Sequence, residues 1–452
     1  MTYMKDRDIT AAKAIAEAVA QKGGKVYYVG GFVRDSIMGN ESKDIDIEVH
    51  GINPDELLSV LKGIGTPILM GADFGVYGLT HLDIDISMPR KEDNQRGGKD
   101  DFASHIDPFI GTEKSAKRRD FTMNALMQDV LTGEIIDHFG GIQDIKNCVI
   151  RHVSDDTFVQ DPLRVLRAAR FASRFGFDIA PETMELCRNI KLDGLAFERV
   201  YEELKKALMK SERPSLFFEE LRRMDALDVW FPEVKALIGV KQPPQHHPEG
   251  DVWNHTMLVL DNGALLRDKA ENKCGFMLSA LCHDLGKPAT TTDEDGHIHS
   301  IGHEFVGVDI AKKFIGRLTQ DASLQKYVFN MVELHMRPNI LESQKSSAKA
   351  FCKVFDLSVC PKDLLLLSEA DYCGRNGHKD YTRKRECLHE MLSLFEERMA
   401  KDHVKGADLI KAGFKPGKEF GKALEFAHKL RVSGVAKKEA LRQTIAYLGS
   451  LM

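Results

Sequence analysis

The chain has no C-x-x-C pair and no apolar run long enough to cross a bilayer. Its eight cysteines stand scattered at positions 148, 187, 274, 282, 352, 360, 373 and 387. That spacing argues against a disulfide scaffold and for reduced thiols in a cytoplasmic protein. The opening residues, MTYMKDRDIT, carry no apolar stretch of the secretory kind, so the expected location is cytoplasmic and no membrane partner is expected. Positive charge is not in excess either, the net charge being −5. A wholesale basic coat is excluded, and any nucleic-acid site has to be a local patch. What remains is ordinary globular composition, 43% hydrophobic and 29% charged over 452 residues. Such a length accommodates roughly two to four domains.

The most informative stretch runs from Lys25 to His50, KVYYVGGFVRDSIMGNESKDIDIEVH. An apolar strand, Val26 to Val29, breaks at Gly30-Gly31, and Arg34-Asp35 sit at a short helix start. A turn with Gly39 and Asn40 leads to a second strand carrying Asp44 and Asp46. Glycine lets backbone approach a ligand closely, and amides at a helix N-terminus favour phosphate. Carboxylates two apart on a strand share a face, an arrangement that holds Mg²⁺ for a nucleoside triphosphate. A Gly-Gly alone is usually a turn, and Asp-x-Asp alone is often a solvated edge.

In this order the two features resemble the signature of polymerase-β-type nucleotidyltransferases. GGFVRD followed by KDIDIEV is similar to the subgroup containing bacterial tRNA nucleotidyltransferases and poly(A) polymerases. The resemblance implies that Asp44 and Asp46 hold catalytic Mg²⁺, with Gly30, Gly31 and Arg34 at the nucleotide. A third carboxylate is expected on a neighbouring strand, in HLDIDIS, at Asp85, with Asp83 as the competitor.

Around this stretch, Asp8 to Gln21 reads as a packing helix, with Ile15 and Val19 at helical spacing. Asn53-Pro54 opens another helix that runs to Leu61, and strands are expected at Tyr77 to Thr80 and Leu82 to Ser87. Arg90 to Lys117 is polar, glycine-containing and charge-mixed, which predicts a loop. In the resembling family a mobile loop at this place separates enzymes that add both C and A from those that stop after CC. Its presence favours the full activity. Arg118-Arg119-Asp120 then reads as a helix start, and RRDFTMNA resembles the second family signature. That likeness puts Arg119 and Asp120 against the incoming nucleotide and makes Asn124 a brace. Arginine's planar fork suits triphosphate and ribose oxygens.

Gln160 to Phe175, QDPLRVLRAARFASRF, predicts a helix with Asp161 as N-cap ahead of Pro162. Arg164, Arg167, Arg170 and Arg174 recur on one side, with Val165, Ala169 and Ala172 roughly opposite. A basic stripe is ordinarily a solvated surface. Here the pattern is similar to the family motif E-D-x-x-R followed by L-R-A-x-R-F, whose Asp and Arg pair with the Watson–Crick edge of the incoming base. Asp161 and Arg164 match those positions, and Arg167 and Arg170 fall among the implied nucleotide-binding residues. Asp accepts from the exocyclic amine of C or A, whereas U and G leave buried groups unpaired. Gln160 departs from the family's Glu.

Beyond Pro243-Pro244 and the run HHPEGD, histidines thicken. A lone histidine in an apolar helix is more often core than ligand. The adjacent pair His283-Asp284 inside ALCHDLGKP is harder to bury without a partner, and a divalent metal is one. The ordered set resembles the HD superfamily of metal-dependent phosphohydrolases. By that resemblance His255, His283, Asp284 and Asp371 form the core ligand set, His303 and His335 are the further ligands of two-metal members, and Lys287 lies near a phosphate. A metal there lowers the pKa of bound water. N/O ligation is compatible with Ni, Mn, Co, Fe or Mg. The tail from Tyr381 is basic and helical, and KGADLIKAGFKPGKEFGKAL resembles a tRNA-holding segment with Lys405, Lys411, Lys415 and Lys418 as candidates.

The expected fold is α+β: a small mixed-sheet nucleotidyltransferase head (1–150), a helical neck and body (151–240), an HD helical bundle (241–375) and a helical tail (376–452). The resemblance covers essentially the whole chain. It implies CCA addition to tRNA from CTP and ATP with Mg²⁺, plus metal-dependent phosphoester hydrolysis of the 2′,3′-cyclic phosphate type. Alternatives are an A-adding or CC-adding enzyme, a poly(A) polymerase, or a catalytically inactive RNA-binding protein.

Overall fold

The computed structural model describes residues 2–41, 45–69, 76–91, 105–375 and 380–451. The chain divides into two compact units, Met1–Gly194 and Leu195–Met452.

In the first unit, helix Thr2–Ala20 buries Ala12, Ile15, Ala16 and Val19 against the start of the sheet. The strands are β1 Lys25–Val29, β2 Ile45–His50, β3 Pro67–Leu69, β4 Tyr77–Leu79, β5 Ile84–Ser87, β6 Arg90–Lys91, β7 His105–Ile106, β8 Met127–Asp129 and β9 Ile135–Ile136. Seven of them form one mixed sheet in the order β3-β4-β5-β2-β1-β8-β9. β1 pairs antiparallel with β2 and β8, whereas β2 and β5 run parallel. Along β2, Ile45 and Ile47 are fully buried on one face, while on the other Asp46 is half-buried and Glu48 and His50 are buried. Helix Pro54–Ile64 opens on a capping box: Glu56 N–H donates to Asn53 Oδ1 at 2.9 Å, and Asn53 N–H donates to Glu56 Oε2 at 3.0 Å.

Three local expectations are corrected. The stretch from Arg90 to Lys117 is not all loop. β6 and β7 pair with Arg90 opposite Ile106, and Thr112–Lys117 is helical, while residues 92–104 lie outside the described residues. Tertiary packing rather than apolar periodicity holds that short helix, because Ser115 and Ala116 are buried. Arg118-Arg119-Asp120 does not open a helix. Arg118 caps the end of Thr112–Lys117, and Asp120 precedes extended Phe121 and a 3₁₀ turn, Thr122–Asn124. The arginine-rich helix spans Leu163–Phe175 and starts one residue later than expected; Asp161 still satisfies an end group, accepting from Leu163 N–H at 3.1 Å.

The second unit is built of helices. Val252–Leu266, Lys273–Cys282, Ala322–Leu334 and Pro361–Cys373 pack around each other, and His303–Leu318 packs on Ala322–Leu334. An exposed hairpin, Thr292–Glu294 with His297–His299, interrupts them. Its turn is Asp295-Gly296 with φ 51° and 83°, a dipeptide that favours this geometry. The C-terminal helices Lys418–Val432 and Lys437–Leu451 close on a small core of Val404, Leu409, Ala423, Ala427, Ala440 and Leu448. No helix among the described residues is long and apolar enough to cross a membrane.

Candidate functional sites

In the first unit, the parallel register of β2 and β5 sets Asp46 directly beside Asp85. Partners in register on adjacent strands point to one face, and Glu48, two residues on, joins Asp46 there. Asp83 precedes β5 and uses its carbonyl to accept from Ile45 N–H. Asp44 lies outside the described residues.

Gly30, between β1 and helix Gly31–Ile37, has φ 65° and ψ −125°, backbone that glycine adopts and L side chains avoid. A Cβ there would lie 2.9 Å from Arg119 Nη1 and 3.8 Å from Asp46 Oδ2, so this backbone faces both groups closely. At Gly31 the nearest atom to a Cβ would be Arg34 Nη2, at 3.5 Å. Arg119 lies 3.7 Å from the buried carboxylate of Glu48, which also receives Ser115 Oγ–H and pairs with His50 Nε2, both at 2.7 Å. Burial raises the Glu48 pKa, but His50 and Arg119 outweigh it and hold the group below its usual value. Glu48 was not among the expected site residues, although its i+2 spacing from Asp46 was the available signal.

A second network runs behind these groups. Arg34, 3% exposed, donates to Asp35 Oδ1 through Nε and Nη2 and to Asn124 Oδ1 through Nη1 at 2.6 Å. Asn124 Nδ2 donates to Asp120 Oδ1 at 2.9 Å, as does Phe121 N–H at 2.8 Å. Arg167 Nε donates to Asp120 Oδ2 at 2.7 Å. Burial acts to raise the Asp120 pKa, yet the Arg167 charge and these hydrogen bonds pull it down to about 2. Arg164 donates to the carbonyls of Thr157 and Arg118, Arg170 is buried with its guanidinium 3.8 Å from the Phe171 ring centre, and Arg174 comes within 3.6 Å of Asp35. The arginine stripe is thus largely committed to protein groups and is not a solvated face. Arg167, with a side-chain exposure of 31%, stands at the open edge of a network whose interior is Arg34, Asn124 and Asp120, and Arg119, at 25%, stands beside Glu48.

The second unit gathers His255, His283, Asp284, His303, His335 and Asp371, all buried. Asp284 Oδ1 lies 3.3 Å from His303 Nε2 and 3.9 Å from His335 Nε2; its Oδ2 lies 3.2 Å from His283 Nε2 and 2.7 Å from Lys287 Nζ. His255 Nε2 is 3.1 Å from Asp371 Oδ1 and 3.3 Å from His283 Nε2. The other ring nitrogens are tied back. Nδ1 of His283, His303 and His335 meets the carbonyls of Ala280, Ser300 and Val332 at 2.8, 2.8 and 2.7 Å, and His255 Nδ1 lies 2.9 Å from Glu249 Oε1. The three rings held by carbonyls carry their proton on Nδ1 and turn Nε2 lone pairs inward. Lone pairs of several imidazoles converging with two carboxylates in a buried space call for a cation, so this donor set fits a divalent metal. Burial and the neighbouring His283 and His303 lower the His335 pKa to about 3, keeping it in the neutral form that ligates. Glu249, with His247 Nδ1 at 2.8 Å, was not anticipated; the His-x-Glu spacing in HHPEGD was its only sequence trace.

In the tail, Lys405, Lys411, Lys415 and Lys418 are exposed, and Lys405 Nζ lies 3.9 Å from Asp402.

A mixed-sheet head with paired strand carboxylates, and a helical unit with an HD-type ligand cluster, define a two-site protein of the nucleotidyltransferase class. The poly A polymerase head domain matches residues 26–151, a probable RNA and SrmB-binding site of polymerase A matches 176–238, and the HD domain matches 252–376. Both the head and the HD matches imply dependence on divalent metal. The multifunctional CCA protein of Actinobacillus pleuropneumoniae serotype 5b (strain L20) is 38% identical over 367 residues, 79% of this chain and 87% of that protein. That of Pasteurella multocida (strain Pm70) is 37% identical over 406 residues, 86% of this chain and 92% of its own. The chain belongs to the family of multifunctional CCA proteins. In fold it is similar to the crystal structure of the Bacillus stearothermophilus CCA-adding enzyme in complex with CTP, with a TM-score of 0.68, 21% identity and 98% coverage of both chains.

Proposed function

We propose that this protein adds C, C and A in turn to the 3′ end of tRNA from CTP and ATP, and that its second unit hydrolyses phosphate esters such as 2′,3′-cyclic phosphates. The observation that carries the first activity is the in-register pair Asp46 and Asp85, with Gly30 and Arg119 facing the same place. In this reading Asp44, Asp46 and Asp85 would hold Mg²⁺, which would supply charge neutralisation on the triphosphate, while the tRNA 3′-hydroxyl attacks the α-phosphate, loses its proton and displaces pyrophosphate. Gly30 and Gly31 leave room for phosphates, and Arg119 and Arg167 meet them from the open edge. Asp120, braced by Asn124 and Arg34, keeps Arg167 in place from the interior, Glu48 does so for Arg119, and Arg34, Asp120, Asn124 and Arg170 complete the nucleotide-binding set. Asp161 and Arg164 read the base, Arg164 being pre-positioned by its two carbonyl partners. The exposed tail lysines Lys405, Lys411, Lys415 and Lys418 contact tRNA phosphates. The domain limits 1–150, 151–240, 241–375 and 376–452 are proposed with these roles, as is a cytoplasmic location.

In the second unit, His255, His283, Asp284 and Asp371 hold the metal, with His303 and His335 as further ligands. Ni, Mn, Co, Fe and Mg all remain chemically compatible with this donor set. The test of the head is Asp46→Ala: incorporation from CTP and ATP is expected to disappear while tRNA binding in a filter assay stays nearly intact. Retained incorporation contradicts the assignment.

A further inference from the structure

Gln242, 4% exposed, precedes the Pro243-Pro244 pair and reaches the edge of the HD-type cluster. Its Oε1 accepts from Lys287 Nζ at 2.7 Å, and the same Nζ lies 2.7 Å from Asp284 Oδ2. An ammonium can only donate, so the atom facing Lys287 must be the amide oxygen, and the assignment of Nε2 as the other atom follows. That Nε2 is buried and has no hydrogen-bond partner among the described residues. Buried donors are nearly always paired, so one left open beside a ligand cluster needs an acceptor from elsewhere. On the second carboxylate a parallel arrangement recurs: Arg375 Nη2 lies 3.7 Å from Asp371 Oδ1, and Arg375 Nε is likewise buried and without a partner among the described residues. Each ligand carboxylate therefore has a cation at its side and an open N–H close by. Both open N–H groups thus sit beside the ligand carboxylates.

Resting on the phosphoesterase reading of this unit, we propose that Gln242 Nε2 donates to a non-bridging oxygen of the substrate's phosphate, with Lys287 Nζ supplying positive charge next to it. The ligand class is a phosphate monoester or diester. Gln242 is then a substrate-binding residue, in addition to the support that its Oε1 gives Lys287.

The two roles separate in two variants. Gln242→Glu keeps an oxygen for Lys287 but replaces the donor with a second acceptor, and Gln242→Leu removes both. The metal-loaded full-length protein is assayed for hydrolysis of 2′,3′-cyclic AMP, with inorganic phosphate as competitive inhibitor and metal content measured alongside. The inhibition constant for phosphate is expected to rise roughly tenfold or more in Gln242→Leu, from loss of a hydrogen bond to a charged group, and further in Gln242→Glu. Metal content should equal wild type in both. If Gln242→Glu binds phosphate as wild type does while wild type hydrolyses the ester, the proposal fails and the phosphoesterase reading stands. If either variant loses its metal, Gln242 is structural support only and the proposal fails. If wild type with metal neither hydrolyses the ester nor binds phosphate by calorimetry, both fall together.

Discussion

Asp120→Asn tests the network behind the nucleotide edge. The Asp120 carboxyl sits at about 2 in the folded protein against 3.8 in an unconstrained chain, because Arg167 and three hydrogen bonds outweigh the cost of burial. A depressed carboxyl stabilises the fold when ionised, so the contribution is complete above about pH 4 and is lost as pH falls through 2. The shift from 3.8 to about 2 is worth roughly 2.4 kcal/mol at 1.36 kcal/mol per pH unit. About half of that has gone by pH 3. Asparagine keeps the shape and loses the charge, so wild type should exceed Asp120→Asn by roughly 2 kcal/mol at pH 7. That margin should narrow by about 1 kcal/mol at pH 3. Tryptophan fluorescence is unsuitable, since Trp230 and Trp253 both belong to the second unit. Urea melts read by a brief deuterium pulse over peptides from 25–50 follow the first unit instead. A margin that is absent at pH 7, or unchanged between pH 7 and pH 3, refutes the argument.

Gly30→Ala places a Cβ 2.9 Å from Arg119 Nη1 in backbone with φ 65°. The expected cost is about 1–3 kcal/mol of strain. Displacement of Arg119 should also cut incorporation at least about tenfold, since one such misplaced contact is worth on the order of 1.4 kcal/mol; unchanged steady-state kinetics would show that the backbone there has room. His283→Ala should abolish metal binding in the second unit, read by elemental analysis, together with hydrolysis of 2′,3′-cyclic AMP, and leave nucleotide incorporation untouched. Retained metal and hydrolysis would remove His283 from the ligand set. Lys411→Glu with Lys415→Glu should weaken tRNA binding and flatten its dependence on salt concentration by about one to two units of slope. A salt dependence identical to wild type would place the RNA elsewhere.

What could be read from the chain was local. Lys25 to His50 announces strand, glycine turn, helix and acid-bearing strand within a single run, and the structure reproduces that order. The choice between Asp83 and Asp85 could not be made the same way, because it depends on the parallel register of β5 against β2, strands separated by a helix and two further strands. The turn at Arg118 to Asp120 was misjudged for a similar reason. Asp120 finds partners in Asn124 and Arg167, Arg118 in the Arg90 carbonyl and Arg119 in Glu48, and those contacts outweigh any helical preference of the segment. Thr112–Lys117 has too little apolar content to declare itself, yet Ser115 donates to Glu48, 67 positions earlier. In the second unit the histidines were legible as types, since an adjacent His-Asp in an apolar segment has few innocent readings, although the pair lies at the C-cap of helix Lys273–Cys282 and in the turn after it and not inside a helix. Gln242 was not, because its meaning comes from Lys287, 45 positions away.

Single-nucleotide incorporation tests the central claim most directly. Purified protein with Mg²⁺ is given tRNAs ending before CCA, after C and after CC, with each nucleoside triphosphate alone and with CTP and ATP together. The account predicts two cytidines followed by one adenosine, no uridine or guanosine, and a stop at that length. Adenosine added only to the CC-ended tRNA, long adenosine runs, or no incorporation at all would contradict it.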